Sequence, residues 1–190
     1  MLAISQQHRI KVGTHKHLPP FLLAALRQDI PVCLTIRPPA DAAISWAIYT
    51  HGNLAVVLEK YIDFYTVLLP YRTRFLVLPF HLITDDCMTM LTLVSLRFGL
   101  NLTIPADTDL CAQEAFQRID KIWSDDLGGI KEWQVARPHP SREVQKSELL
   151  RQLESPQYKL LLEEGDRLYR LFYLQFEADL EKYIHHAPKT

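Results

Sequence analysis

Glycine is scarce in this sequence, with six residues in 190, and only Gly128-Gly129 are adjacent. No segment combines glycines with serine, threonine and lysine into a loop that could cradle a phosphate through backbone N–H groups. Cysteine is scarcer still. Cys33, Cys87 and Cys111 are odd in number, far apart and without CxxC spacing, which argues against a disulfide framework, a redox pair or a structural zinc, and reads as reduced, packed thiols. Neither sign of charge is in excess: 21 basic against 22 acidic residues leave a net charge of −1, so no overall field recruits nucleic acid or an anionic membrane. Any anion site must therefore be local. Long apolar runs are missing too; none approaches the roughly 18 residues of a membrane span. Met1 to Arg9 lacks a basic stretch followed by an apolar core, so a cytoplasmic location is expected.

What is present is a core. Hydrophobic residues make up 48% of the chain, which suits one domain of this length carrying a helical appendage. Arg9 to Gly13 alternates polar and apolar residues as a short strand would, and Pro20 to Gln28 reads as a helix. Val32-Cys33-Leu34-Thr35-Ile36 is a second strand, Pro39 to Thr50 a helix, and the apolar residues from Leu54 to Leu68 recur at three and four, as on a broad helical face ended by Pro70. Arg74 to Phe80 reads as a third strand, and Thr84-Asp85-Asp86 caps a helix that runs to Phe98 and stops at Gly99. Strand alternating with helix predicts an α/β fold, a parallel sheet flanked by helices. From Cys111 the character changes to a helix ending at Trp123, a polar stretch to Pro140, and two amphipathic helices over Ser141–Glu154 and Pro156–His186. The predicted buried stripe of the last is Leu160, Leu161, Leu168, Leu171, Phe172, Phe176 and Leu180. The expected organisation is an α/β core over 1–110 and a helical extension over 111–190 packed on it as a single domain.

The segment richest in chemical meaning runs from Ile36 to Ser45. Arg37 leaves a strand, Pro38-Pro39 end that strand and open a helix, and Ser45 follows eight residues after the arginine. In an open α/β sheet the C-terminal strand edge is where ligands bind, and a guanidinium there can hold a phosphate through paired charge-assisted hydrogen bonds. Taken singly, these residues have plainer readings. Arg37 could be a solvated strand end, Ser45 a helix-interior hydroxyl bonded to backbone, and His15-Lys16-His17 a surface loop. Asp85-Asp86 and Asp125-Asp126 sit at helix boundaries, where acids favour the N-terminal dipole, so capping is expected rather than catalysis. Tyr61, Phe64 and Tyr65 read mostly as core, and Trp46 suits either packing or a ligand cleft.

Taken together, these segments resemble the sulfotransferases that use 3′-phosphoadenosine 5′-phosphosulfate (PAPS), a branch of the P-loop nucleoside triphosphatase fold. Thr14-His15 stands where that family has a Lys-Thr-His loop, Arg37 and Ser45 keep the spacing of its Arg-(Asn/Asp)-Pro segment and following serine, Leu78-Pro79-Phe80-His81-Leu82 is nearest to its Tyr-Glu-Asp-Leu-like strand end, and Phe98-Gly99 echoes its Phe-Leu-Gly-like helix end. The likeness spans roughly residues 9 to 104. It implies His15 as the catalytic base, Arg37 and Ser45 as the pair that holds the nucleotide's 3′-phosphate, PAPS as co-substrate without a metal, and an acceptor that is a small molecule or carbohydrate; the balanced charge argues separately against nucleic acid or a membrane as partner. His17 competes with His15 because His17-Leu18-Pro19 also resembles a family sequence; the spacing to Arg37 favours His15.

The departures are specific. The glycine-rich loop that cradles the 5′-phosphosulfate in that family has no counterpart here, Gly13 stands where a lysine usually precedes the histidine by two, and Phe80 replaces a tyrosine. Two expectations follow: a sulfotransferase-like enzyme truncated at its N-terminus, whose phosphate loop lies upstream, or a non-catalytic interaction module that pairs an exposed sheet edge with a partner or a second copy of itself.

Overall fold

The computed structural model describes residues 18–102, 113, 117, 120, 121 and 142–185. They form a mostly helical structure with a small two-stranded parallel sheet packed against helices and a long C-terminal helix. Helix α1 (Pro19–Arg27) opens on two prolines, where missing N–H groups cost nothing, and buries Leu22 and Leu26. Strand β1 (Cys33–Ile36) buries Leu34 and Ile36. Helix α2 (Pro39–Thr50) buries Ala43, Ile44, Ala47 and Ile48, and ends at His51 in the left-handed region, φ 52°. Asn53 then starts helix α3 (Leu54–Leu68), its Oδ1 accepting from the Ala55 N–H at 2.8 Å. After a 3-10 turn over Leu69–Arg74 comes β2 (Leu76–Pro79), buried throughout, then α4 (Phe80–Asp85) and α5 (Cys87–Phe98). The later part of the chain holds α6 (Glu143–Leu153), a 3-10 turn over Pro156–Tyr158, α7 (Lys159–Leu180) and a wider π-type turn over Glu181–His185.

The two strands pair in parallel, Cys33 with Leu76 through Ile36 with Pro79. Such pairing needs a long crossover, here the segment containing α2 and α3. The predicted strand over Arg9–Gly13 lies outside the described residues. The strand expected over Arg74–Phe80 is shorter at both ends. Arg72 and Arg74 are held in the 3-10 turn, where Arg72 donates to the Leu69 carbonyl at 3.4 Å, and at the other end Pro79, which lacks an N–H, closes the ladder so that Phe80 opens α4.

The chain divides into two compact units, one of Met1–Arg37, Asp63–Pro105 and Arg167–Thr190, the other of Pro38–Ile62 and Ala106–Asp166. The first contains the sheet. Phe75, Leu76 and Val77 are fully buried there, as are Leu93 of α5 and Leu168 and Phe172 of α7, and Arg74 donates to the Leu26 carbonyl at the end of α1. In the second, Ala43, Ile44, Ala47 and Ile48 of α2 pack with Leu54, Val57 and Leu58 of α3, Leu153 of α6 and Tyr158. Gly165 sits in this unit where a Cβ would come within 2.8 Å of the Pro39 Cβ.

Helix α7 buries Leu168, Phe172 and Phe176 as its periodicity predicts, but Leu160 is 77% exposed. Eight residues back from Leu168 is about 80° round the helix, whereas Leu161, seven back, faces nearly the same way and is half-buried. The buried face also carries Asp179, which is 5% exposed. Of Thr84, Asp85 and Asp86, the last is the cap: its carboxylate accepts from the Thr89 N–H at 3.0 Å, while Thr84 and Asp85 belong to α4. Gly99 ends α5 at φ 62°, with the Leu100 N–H returning to the Ser95 carbonyl. Among the described residues no helix is long and apolar enough to cross a membrane.

Two stability predictions follow from these contacts. The hydrogen bonds from Thr89 hold the Asp86 carboxyl below its ordinary value, so its contribution is complete above the unfolded carboxyl pKa and is lost as pH falls through the lower folded one. Asp86→Ala should cost about 1 kcal/mol at about pH 7, with the gap to the parent closing under acid; denaturant unfolding at a series of pH values measures it. Gly165→Ala should destabilise by roughly 1 kcal/mol in a thermal melt, because overpacking against Pro39 outweighs the gain in helix propensity.

Candidate functional site

The exit of the sheet is built by register and proline. Ile36 pairs with Pro79, so Arg37 and Phe80 are the next residues on two parallel strands and leave the same edge in step. Pro38, at φ −50° and ψ 139°, follows Arg37 and restricts the arginine to extended backbone. Pro79, at φ −58° and ψ 141°, directs Phe80 into the first turn of α4. The result is a cation–π contact: the Arg37 Cζ lies over the Phe80 ring, 4.6 Å from its centroid. Arg37 is half-buried, and Phe80 is 38% exposed although the strand before it is buried throughout.

Behind this edge the strand is braced. Tyr65 of α3 donates its hydroxyl to the Thr35 carbonyl at 3.1 Å, and its ring meets Phe172 of α7 edge to face at 5.2 Å. Burial, with a smaller contribution from Tyr169, pushes the Tyr65 hydroxyl well above its ordinary pKa, so it remains a neutral donor. Cys33 keeps a little exposed surface but is enclosed by protein on most sides, and that burial pushes its thiol up to about 12.

Next to Phe80 along α4, the exposed His81 faces a groove of about 410 Å³ lined by His81, Tyr169, Arg170, Tyr173 and Leu174. The His81 and Tyr173 rings are 6.4 Å apart, and along α7 Tyr173 meets Tyr169 tilted at 5.7 Å and Phe176 edge to face at 5.5 Å. Sequence reading passed over these tyrosines. The signal available was Tyr169 and Tyr173 four apart on a helix, flanking the stripe that Leu168 and Phe172 define.

The predicted residues fall as follows. Arg37 and the Leu78-Pro79-Phe80-His81-Leu82 segment come together at one sheet edge within the first unit. Ser45 is exposed on α2 and belongs to the second unit. Phe98-Gly99 is the C-terminal cap of α5. Trp46 and Tyr49 pack ring on ring at 5.4 Å on α2, each 37% exposed. His15 and His17, like Cys111 and the Asp125-Asp126 pair, lie outside the described residues. Among those described, no three His, Cys, Asp or Glu side chains are grouped as a metal site requires.

This arrangement offers one cationic, planar group of donors at a strand exit, with an aromatic groove beginning one residue beyond its stacking partner. Chemically it suits an oxyanion held in the plane of the guanidinium. No protein-family model, curated protein or solved structure matches the chain.

The Cys33 environment predicts its reactivity. Because the nucleophile is the thiolate, a thiol raised to about 12 should resist iodoacetamide at about pH 8 in the folded protein. It should be alkylated readily in denaturant, and peptide mass mapping distinguishes the two states.

Proposed function

We propose that this chain is a PAPS-dependent sulfotransferase-like protein of the P-loop type, moving a sulfuryl group to the hydroxyl of an acceptor. The observation that carries this reading is the position of Arg37. It leaves the C-terminal edge of a parallel strand, next to the exit of a second strand, immediately before a helix whose first turn is proline. That is the edge where open α/β sheets take anionic ligands, and it is where the sequence resemblance puts the 3′-phosphate contact. The resemblance assigns Ser45 to the same phosphate and His15 to the acceptor proton.

In the reaction so assigned, the acceptor oxygen attacks sulfur, the bond from sulfur to the 5′-phosphate oxygen breaks, and adenosine 3′,5′-bisphosphate leaves. His15 takes the acceptor proton, a role suited to an imidazole that titrates near neutrality. Arg37 and Ser45 act at a distance from sulfur by anchoring the nucleotide, which turns an encounter into a fixed geometry. The chain has no glycine-rich loop for the 5′-phosphosulfate, so nucleotide anchoring and sulfuryl transfer are separable properties.

Titration calorimetry tests the anchor. Adenosine 3′,5′-bisphosphate should bind and adenosine 5′-monophosphate should bind distinctly more weakly. Arg37→Gln should weaken the bisphosphate by about ten- to a hundredfold, the scale of a lost charged hydrogen bond, with a smaller loss for Ser45→Ala. His15→Asn should leave this affinity unchanged and remove any transfer of labelled sulfate from PAPS. Equal affinity for the two nucleotides, or no binding of either, would overturn the reading; no transfer together with a mass that grows with concentration would favour an interaction module instead.

A further inference from the structure

An arginine side chain has several rotatable bonds to immobilise before it can present two N–H groups to one anion. Here the guanidinium already lies over a ring before a ligand arrives. Pro38 confines the backbone of Arg37, the pairing of Ile36 with Pro79 brings Phe80 alongside it, and Pro79 sets the direction in which Phe80 departs.

We propose that Phe80 is a positioning residue for Arg37, its ring setting the plane of the guanidinium so that the in-plane donors meet an incoming oxyanion. Two observations carry this. The first is the contact itself, with Cζ over the ring at 4.6 Å from its centroid, in the range of an attractive cation–π interaction. The second is that the ring stands at the surface beside the guanidinium: Leu76, Val77, Leu78 and Pro79 are buried, whereas Phe80 keeps 38% of its surface exposed.

The geometry is selective as well as stabilising. The five N–H donors of a guanidinium lie in its plane, so a ring on its face competes with none of them. A lysine ammonium has no plane for the ring to set and would gain charge contact without orientation. A tyrosine at position 80 would keep the face, so the departure from the family's tyrosine leaves this role intact.

The inference rests on the reading that Arg37 anchors an anion, and a double-mutant cycle separates the two. With adenosine 3′,5′-bisphosphate as the probe and titration calorimetry as the readout, Phe80→Leu should weaken binding about two- to fivefold, while Phe80→Tyr should restore parent affinity. In an Arg37→Gln background, Phe80→Leu should have no further effect. Parent-like affinity in Phe80→Leu, with Arg37→Gln weakened, would overturn the positioning role and leave the anchor standing. An equal loss from Phe80→Leu in both backgrounds would also overturn it, since the ring would then act without the arginine. Parent-like affinity in Arg37→Gln would overturn the anchor and the positioning role together. Should Phe80→Leu not fold, Phe80→Met, which fills similar space without a ring face, reads the same cycle.

Discussion

The pairing of β1 with β2 is the constraint on which the candidate site depends. Four rungs hold Cys33 to Ile36 beside Leu76 to Pro79, and because the strands run in parallel, both chains leave the same edge. An antiparallel pair would have sent Arg37 and Phe80 to opposite ends. The ladder is secured on its faces rather than by its length: β2 is buried throughout, Phe75 ahead of it is fully buried, and Tyr65 reaches the Thr35 carbonyl from α3. A strand buried on both sides must be apolar without interruption, and Phe75 to Pro79 meets that condition.

Proline converts this pairing into direction. β2 ends at Pro79 with a helix starting at the next residue, and β1 ends two residues ahead of Pro38, which caps the helix that starts at Pro39. Hydrogen bonding thereby stops at the same level on both strands, and a charged and an aromatic side chain emerge together where further pairing would have covered them. Stacking of an arginine on a ring contributes little to overall stability at a partly exposed position. Its consequence is orientational, and orientation is what a two-pronged contact with an oxyanion requires.

At the far end of α7 the economy is different. Asp179 lies on the buried face of the helix with its Oδ2 unpartnered among the described residues, and burial raises its carboxyl pKa against the opposing influence of Gln175, Arg97 and Lys182. Arg97 itself donates to the Tyr183 hydroxyl at 2.8 Å and to the Thr73 carbonyl at 3.2 Å, while its Nε is buried without a partner among the described residues. Charged groups at this depth cost stability unless fully satisfied, so the junction of α5 with the turn after α7 is held by hydrogen bonds bought against desolvation.

Local chemistry determined most of the element boundaries. Proline at helix starts, glycine or asparagine near helix ends, and apolar recurrence at three and four over Leu54–Leu68 are short-range rules that act on each segment alone, and α2, α3 and α5 follow them. The place of Arg37 at the C-terminal exit of a strand was likewise readable, from the apolar run before it and the two prolines after it. What neighbours alone could not decide was which residues meet. Leu160 and Leu161 are equally apolar, and it is the packing of Leu161 against the core of the second unit that buries one of them and not the other. The strand at Arg74 is cut short because a 3-10 turn captures its first residues, and Phe80 finds Arg37 only through a register fixed by residues forty positions apart. Side-chain partners across a sheet are a property of tertiary pairing, since the sequence holds no local term that favours one register over the next.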